Sequence, residues 1–253
     1  APCAPRPLGS GEVPAPWLAG LMDRLFRAPG AGSAALVLGL VGGYPIGAKT
    51  AADLYRENLV SREEAERLLA FCNNSNPVFL ISVLGAGVFG SVRAGVWLWL
   101  IHVLSALLTG LVFRGTGADA RSSRAARPPA FRTTGLIPAF VGAVRSSVSG
   151  ILSVCGFVLF FYVLAHPLAA LGGKLAPCLV GITELFSLTP LLTADAFGFV
   201  LAAGAAGWGG ISVLCQTLAV LEGSGLRLRT CLLGKAAQGL FSLLLALLLA
   251  GHV

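Results

Sequence analysis

Apolar and polar residues form separate blocks along this chain, and two of the apolar blocks are too short to cross a bilayer as a helix. They are residues 33–44 and 77–89, whereas a membrane-spanning helix needs about 20 residues. Each block has helix breakers beside polar groups, at residues 42–45 and 73–77. Irregular backbone at membrane depth persists only inside protein or beside a cavity. The pattern therefore predicts two half-crossings that meet at a polar site.

Three other apolar blocks predict complete membrane spans, at residues 96–113, 148–165 and 231–250. The first carries two tryptophans near one end, where a membrane interface favours them. We predict that the third is entered through basic residues, Lys235 among them.

Two further helices are predicted at the membrane surface. Residues 17–27 combine apolar and charged positions in a pattern suited to an interfacial helix. Ser61 and Glu64 have the spacing of a capping box, in which each side chain bonds a free backbone amide of the first turn. The apolar positions after Ser61 fall on one face at helical spacing, which predicts an amphipathic connector.

The two halves of the chain present their parts in the same order: an interrupted segment, a second polar break and a full span. In the second half these breaks lie near Glu184 and at residues 207–212. Matching interrupted segments are typical of a transporter built from inverted repeats, with the substrate held between the breaks. We therefore predict an all-α integral membrane protein with two inverted repeats and broken or re-entrant helices, truncated at its N-terminus. The predicted divisions are a tail and interfacial helix at 1–30, a first repeat at 31–114, a cytoplasmic basic loop at 115–140 and a second repeat at 141–253.

Composition also indicates a membrane protein. Hydrophobic residues make up 56% of the chain and charged residues 11%, with a mean hydropathy of +0.83, whereas soluble domains carry about 25% charged residues. The net charge of +7 does not predict a nucleic-acid partner, because the basic residues lie beside apolar blocks. By the positive-inside rule, the loop after the first full span is cytoplasmic. Against one acid, Asp119, it carries Arg114, Arg121, Arg124, Arg127 and Arg132.

No catalytic site, metal site or cofactor is predicted. The six cysteines lack C-x-x-C spacing, and the histidines are far apart. Residues 42–50, GGYPIGAKT, nearly spell a phosphate-binding loop, but Ala48 separates the glycine from the lysine. No G-x-S-x-G elbow presents a serine nucleophile, so we predict that the protein is not an enzyme. His102, inside a span, is interpreted as a packed residue, with a proton relay as the alternative.

The polar breaks supply the predicted contacts with a solute. Four consecutive polar residues before Pro77 exceed what one helix cap needs, and a half-helix starting there would direct its free amides at an anion. Simple capping is the alternative for these residues, and close helix packing is the alternative for the glycines of the second break. Lys49 is expected to be the only basic side chain close to residues 43–45, although it could instead reach the interface, and Glu184 could instead pair with a cation. The predicted solute-contacting residues are Gly43, Tyr44, Pro45, Lys49, Asn73, Asn74, Ser75, Asn76, Glu184, Gly209, Gly210, Ser212 and Gln216.

Four stretches carry a family resemblance, at residues 42–49, 61–71, 73–79 and 207–216 (GWGGISVLCQ). They resemble the YlbJ-like sporulation integral membrane proteins of the nucleoside-recognition or gate-domain group, in the expected order and from about Trp17 to the C-terminus. The resemblance implies a protein of spore-forming bacteria, related in fold to concentrative nucleoside transporters. It also implies a forespore membrane, dipicolinate uptake and cortex formation. Family members begin with further apolar segments and are more Gly-rich after the Glu-Leu pair.

The expected function is that of a permease-like transporter of sporulation, which moves a small anionic solute across a forespore membrane. The resemblance suggests dipicolinate as that solute. One alternative is a nucleoside or other small-solute carrier coupled to Na⁺ or H⁺, for which Glu184 and Asp195 are the acidic candidates of the second half. Another alternative is a non-transporting membrane scaffold for spore assembly. The expected partners are thus the solute, the lipid bilayer and a coupling ion.

Overall fold

The computed structural model describes residues 16–115 and 136–251, and within these ranges it contains helices and no strand. The first half comprises α1 (Pro16–Leu21) with a π-helical turn (Met22–Phe26), α2 (Gly32–Gly42), α3 (Ile46–Arg56), α4 (Arg62–Phe71), a π-helix (Phe79–Val88) and α5 (Val92–Val112). The second half comprises α6 (Leu136–Ala169), α7 (Leu175–Thr183), α8 (Leu185–Leu188) with a 3₁₀ turn (Thr189–Leu191), α9 (Ala196–Trp208), α10 (Gly210–Leu221) and α11 (Arg229–Leu249). The predicted all-α membrane protein is confirmed.

Four helices are long and apolar enough to cross a membrane, judged by length and composition within the described ranges. They are Val92–Val112, Phe140–Ala169, Ala196–Leu221 (α9 and α10 together) and Arg229–Leu249. The three predicted spans coincide to within one residue at the C-terminal end with parts of the first, second and fourth. Shorter apolar helices, α2 and the π-helix, lie where the half-crossings were predicted, around residues 33–44 and 77–89.

Helix α6 is longer than the sequence predicted. It continues through Pro167 to Ala169, and it begins at Leu136, so the last residues of the expected loop at 115–140 are helical. Residues 116–135 of that loop lie outside the described residues, as do residues 1–15 of the predicted division at 1–30. Many large apolar side chains of α6 are exposed, including Ile151, Leu152 and Phe160, which suits contact with lipid tails.

Helices α2 and α3 form a hairpin that closes on the end of α4. Its turn contains Gly43 at φ +83° and a cis peptide bond between Tyr44 and Pro45. A side chain on Gly39 or Gly47 would overlap the carbonyl oxygen of Cys72. The two glycines therefore let the backbones of α2 and α3 contact the residue that follows α4.

Side-chain caps fix where the next elements begin. The Ser61 hydroxyl accepts from the Glu64 amide at 3.2 Å, and the Glu64 carboxylate accepts from the Ser61 amide at 2.7 Å, so the predicted capping box is confirmed. Asn76 Oδ1 accepts from the Phe79 amide at 2.7 Å, at the start of the π-helix. Capping, the alternative interpretation of the polar run, therefore describes Asn76.

The second half is interrupted where the sequence indicated. Glu184 is extended (φ −154°, ψ 125°) between α7 and α8, and Gly209 at φ +87° separates α9 from α10. Both halves thus contain an interrupted segment, a second break and a full span, while their inverted symmetry stays a prediction. A Cβ on Gly207 would lie 2.6 Å from Ser242 Oγ, so this glycine allows close packing of α9 against α11.

Candidate solute-binding site

Lys235 of α11 lies at the centre of a buried polar cluster. Its side chain is 0% exposed. The ammonium nitrogen donates to Tyr44 Oη at 2.8 Å, to the Asn73 carbonyl oxygen at 3.1 Å and to Gln238 Oε1 at 2.8 Å. An ammonium group has three donors, so each has an acceptor, and all three acceptors are neutral. Among the residues that the structure describes, no carboxylate forms an ion pair with Lys235.

Tyr44 joins this cluster to the hairpin turn. Its hydroxyl donates to the Ala206 carbonyl oxygen at 2.9 Å, and its ring centroid lies 4.8 Å from Lys235 Nζ, within cation–π distance. A Cβ on Gly209 would come within 3.2 Å of the end of the ring. The two predicted breaks around Tyr44 and Gly209 therefore meet, with the tyrosine ring packed on the glycine.

Asn74, Gln238 and His102 continue the cluster toward α5. Gln238 Nε2 donates to Asn74 Oδ1 at 2.8 Å and lies 3.5 Å from His102 Nε2, while Asn74 Nδ2 donates to the Phe71 carbonyl oxygen at 2.8 Å. The Ser75 amide donates to His102 Nε2 at 3.0 Å. These bonds assign the acceptor role to Nε2 and place the proton of a neutral ring on Nδ1.

Three buried polar atoms of this region have no hydrogen-bond partner within the described ranges. They are His102 Nδ1, Asn73 Oδ1 and Gln216 Oε1. The amide nitrogens beside the two oxygens are used, because Asn73 Nδ2 donates to Thr217 Oγ1 at 2.9 Å and Gln216 Nε2 donates to Ser212 Oγ at 3.2 Å. Unpaired buried polar atoms are destabilising, so they mark places where a ligand or water would bond.

A cleft of about 550 Å³ lies beside the cluster, between the hairpin turn, α6 and α10. Among the predicted residues, Tyr44, Pro45, Lys49 and Gln216 line it. Its volume is within the range of small-molecule sites, about 300–1,000 Å³. Lys235 does not line the cleft, whereas Tyr44 both lines it and contacts Lys235.

The structure thus divides the predicted residues into groups. Asn73, Asn74 and Ser75 belong to the cluster around Lys235, and Tyr44 connects them to the cleft residues. Gly43 and Gly209 supply left-handed backbone at the breaks. The remaining members of the prediction lie at the second break and at the caps; they are Asn76, Glu184, Gly210 and Ser212.

Glu184 acts as a helix cap. Its carboxylate accepts from the Phe186 amide at 3.0 Å and from both the amide and the hydroxyl of Ser187. A Cβ on Gly210 would lie 3.2 Å from Glu184 Cα, so the two breaks of the second half are in contact. A role of Glu184 in solute or ion binding stays a prediction.

Two expectations about lysines are wrong. Lys235 lies inside α11 and not at the entrance of the last span, and Lys49 is not the only basic side chain close to the hairpin turn, because Lys235 bonds Tyr44. A signal for this was present in the sequence: Cys231, Lys235, Gln238 and Ser242 recur at helical spacing and form one face. All four are buried.

The four candidate spans, the helices broken at polar residues and the buried cluster define an α-helical integral membrane protein. No protein-family model and no solved structure matches the chain. The chain is 30% identical over 276 residues to the sporulation integral membrane protein YlbJ of Bacillus subtilis (strain 168), an alignment that covers 90% of this chain and 66% of that protein. The chain belongs to the YlbJ-like family, as the resemblance predicted, and spans about two thirds of that relative's length.

Proposed function

We propose that this protein is a permease-like membrane transporter of sporulation, which moves a small anionic solute across a forespore membrane. The observation that carries the proposal is the environment of Lys235, a buried cation whose hydrogen-bond acceptors are all neutral. The relative's name supplies the link to sporulation. The family resemblance supplies dipicolinate as the solute.

A buried cation without a counter-ion favours the arrival of an anion. Removing an ammonium group from water is costly, and neutral hydrogen bonds offset only part of that cost. A carboxylate near Lys235 would replace a neutral acceptor by a charged one and form a shorter, stronger bond. The cluster should therefore prefer an anion to a neutral solute or a cation.

Dipicolinate suits this environment because it is a flat dianion whose carboxylates flank a ring nitrogen. One carboxylate would accept from Lys235 Nζ, and the amide groups of Asn74 and Gln238 lie within the same network. The neighbouring cleft of about 550 Å³ is large enough for a small organic molecule.

A nucleoside or other small-solute carrier coupled to Na⁺ or H⁺ is the second candidate. In its favour are the unpaired buried atoms, the donor His102 Nδ1 and the acceptors Asn73 Oδ1 and Gln216 Oε1. Mixed donors and acceptors suit the edge of a nucleobase.

The test is uptake of labelled dipicolinate and labelled uridine into proteoliposomes that contain the purified protein. Lys235→Gln is compared with Lys174→Gln, since Lys174 is exposed before α7. Loss of a bond to a charged group costs about 1.5 to 3 kcal/mol. We therefore expect dipicolinate affinity to fall about ten- to a hundredfold in Lys235→Gln and to stay unchanged in Lys174→Gln.

The other outcomes separate the candidates. Equal dipicolinate uptake by wild type and Lys235→Gln, at equal amounts of monodisperse protein, would overturn the assignment of Lys235. If the protein takes up uridine but not dipicolinate, the nucleoside-carrier proposal would be favoured. Uptake of neither solute would favour the non-transporting scaffold.

A further inference from the structure

We infer that the cleft beside the hairpin turn is an outer compartment of the same site, which receives a small organic anion, and that Tyr44 is the gate between this compartment and Lys235. The inference rests on the proposed transport function. It adds α6, which carried no predicted role in the site, as one wall of the solute path.

The cleft has a mostly apolar lining with a few polar side chains, as small-molecule sites commonly do. Lys49 and Gln216 stand on the side of the hairpin and α10, and Ser147, Ser153 and Cys155 stand on the side of α6. Gln216 is 3% exposed, and its Oε1 has no hydrogen-bond partner within the described ranges. This buried acceptor can receive a hydrogen bond from a water molecule that accompanies the solute.

Tyr44 occupies the boundary between the cleft and the cluster. Its side chain is half-buried, lines the cleft and contacts Lys235 with both hydroxyl and ring. Lys235 is fully buried behind it. A solute in the cleft would therefore have to displace Tyr44 in order to contact the ammonium group.

Opening this boundary requires few changes. The hydroxyl of Tyr44 would release two hydrogen bonds, to Lys235 at 2.8 Å and to Ala206 at 2.9 Å, and the ring would leave its contact with Gly209. A carboxylate of the solute would take the place of the hydroxyl as acceptor for Lys235, so the anion itself compensates for the lost bond. The open volume beside the ring provides room for this movement.

Two native cysteines lie on opposite sides of the gate and serve as reporters. Cys155 is exposed and lines the cleft. Cys231 is fully buried and precedes Lys235 by one helical turn, on the same face of α11. A negatively charged thiol reagent should thus reach Cys155 directly and Cys231 only through an open gate.

The experiment measures the rate of modification by methanethiosulfonate ethylsulfonate in the full-length chain, with either Cys155 or Cys231 as the single cysteine. We expect Cys155 to react and Cys231 to react at least about tenfold more slowly, since the gate bonds must open first. Tyr44→Ala should increase the rate of Cys231 modification by about tenfold or more. Tyr162→Ala, on the exposed face of α6, is the matched control and should change neither rate.

Tyr44→Phe provides a second variant if removal of the ring destabilises the protein. This variant keeps the ring and loses both hydrogen bonds of the hydroxyl, so it should increase the rate of Cys231 modification less than Tyr44→Ala does. Slow reaction of Cys231 in both variants, with folded protein, would overturn the gate without affecting the transport proposal. In the protein whose single cysteine is Cys155, dipicolinate should slow the modification of Cys155. Absence of this protection together with measured dipicolinate uptake would overturn the outer compartment alone.

Discussion

Lys235 and Tyr44 are separated by 191 positions in sequence, yet Lys235 Nζ donates a hydrogen bond of 2.8 Å to the Tyr44 hydroxyl. The bond joins the last span to the turn of the α2–α3 hairpin, which is the interruption that the sequence made conspicuous. Tyr44 in turn bonds the carbonyl oxygen of Ala206 near the end of α9. One tyrosine thus connects the polar breaks of both halves.

The first prediction concerns Asn74, whose two amide atoms bond Gln238 and the Phe71 carbonyl oxygen. Asn74→Leu leaves Gln238 Nε2 without this acceptor, and it should weaken solute binding by about 1 to 3 kcal/mol, or about five- to 150-fold in affinity. Ser91→Ala is the control, because it removes only the cap of α5 and should cost about 1 kcal/mol of stability. Uptake per folded molecule that is equal in the two variants would exclude Asn74 from the site.

Lys49 should contribute to solute capture from its place at the cleft. Lys49→Ala should raise the KM for dipicolinate and change the maximal rate less, because the residue lies outside the cluster around Lys235. Uptake measured over a range of solute concentrations separates the two effects. A fall in maximal rate at constant KM would contradict this position in the path.

The hairpin glycines should be intolerant of a side chain. In Gly47→Ala the new methyl group would overlap the backbone of Cys72, so the hairpin must shift, at a cost of about 1 to 3 kcal/mol or more. Gly156→Ala is the matched control, since nothing lies within 4 Å of its position in α6. It should stabilise the helix by about 0.5 to 1 kcal/mol. Thermal unfolding midpoints in detergent should therefore move in opposite directions.

Asp195, just before α9, should make stability depend on pH. The pKa of Asp195 is lowered from its ordinary value of 3.8, chiefly because the Gly198 amide bonds the carboxylate and further because the Thr193 hydroxyl does. A carboxyl group whose pKa is depressed by folding stabilises the fold above its unfolded pKa and loses this contribution as the pH falls through the folded value. Asp195→Asn keeps a capping group without the titration. When the pH is lowered from about 6 to about 3, the thermal unfolding midpoint of the wild type should fall further than that of Asp195→Asn.

The last prediction tests topology. The arginine-rich loop between α5 and α6, whose residues 116–135 lie outside the described ranges, is predicted to be cytoplasmic. A single cysteine introduced as Ser122→Cys should resist an impermeant maleimide in intact cells and react after permeabilisation. Labelling in intact cells would reverse the proposed orientation.

Local chemistry was enough to predict the interruptions and the caps. The Gly43–Pro45 turn, the capping box at Ser61 and the break at Gly209 depend on neighbouring residues, and the structure confirms each. The position of Lys235 depends instead on how α11 packs against Tyr44 and Asn73, which are distant in sequence. A lysine near the start of an apolar run is usually interfacial, so the tertiary arrangement decided its role.

The contact of Gly39 and Gly47 with the Cys72 carbonyl oxygen has a mechanical consequence. Because no side chain separates these backbones, we expect the hairpin and the end of α4 to move together as one body, which includes Tyr44 and Asn73. Spin labels on α3 and α4 should then keep a constant distance when solute is added. If this body moves relative to α11 during transport, the ammonium group of Lys235 would lose its hydrogen bonds to Tyr44 and to the Asn73 carbonyl oxygen at the same time.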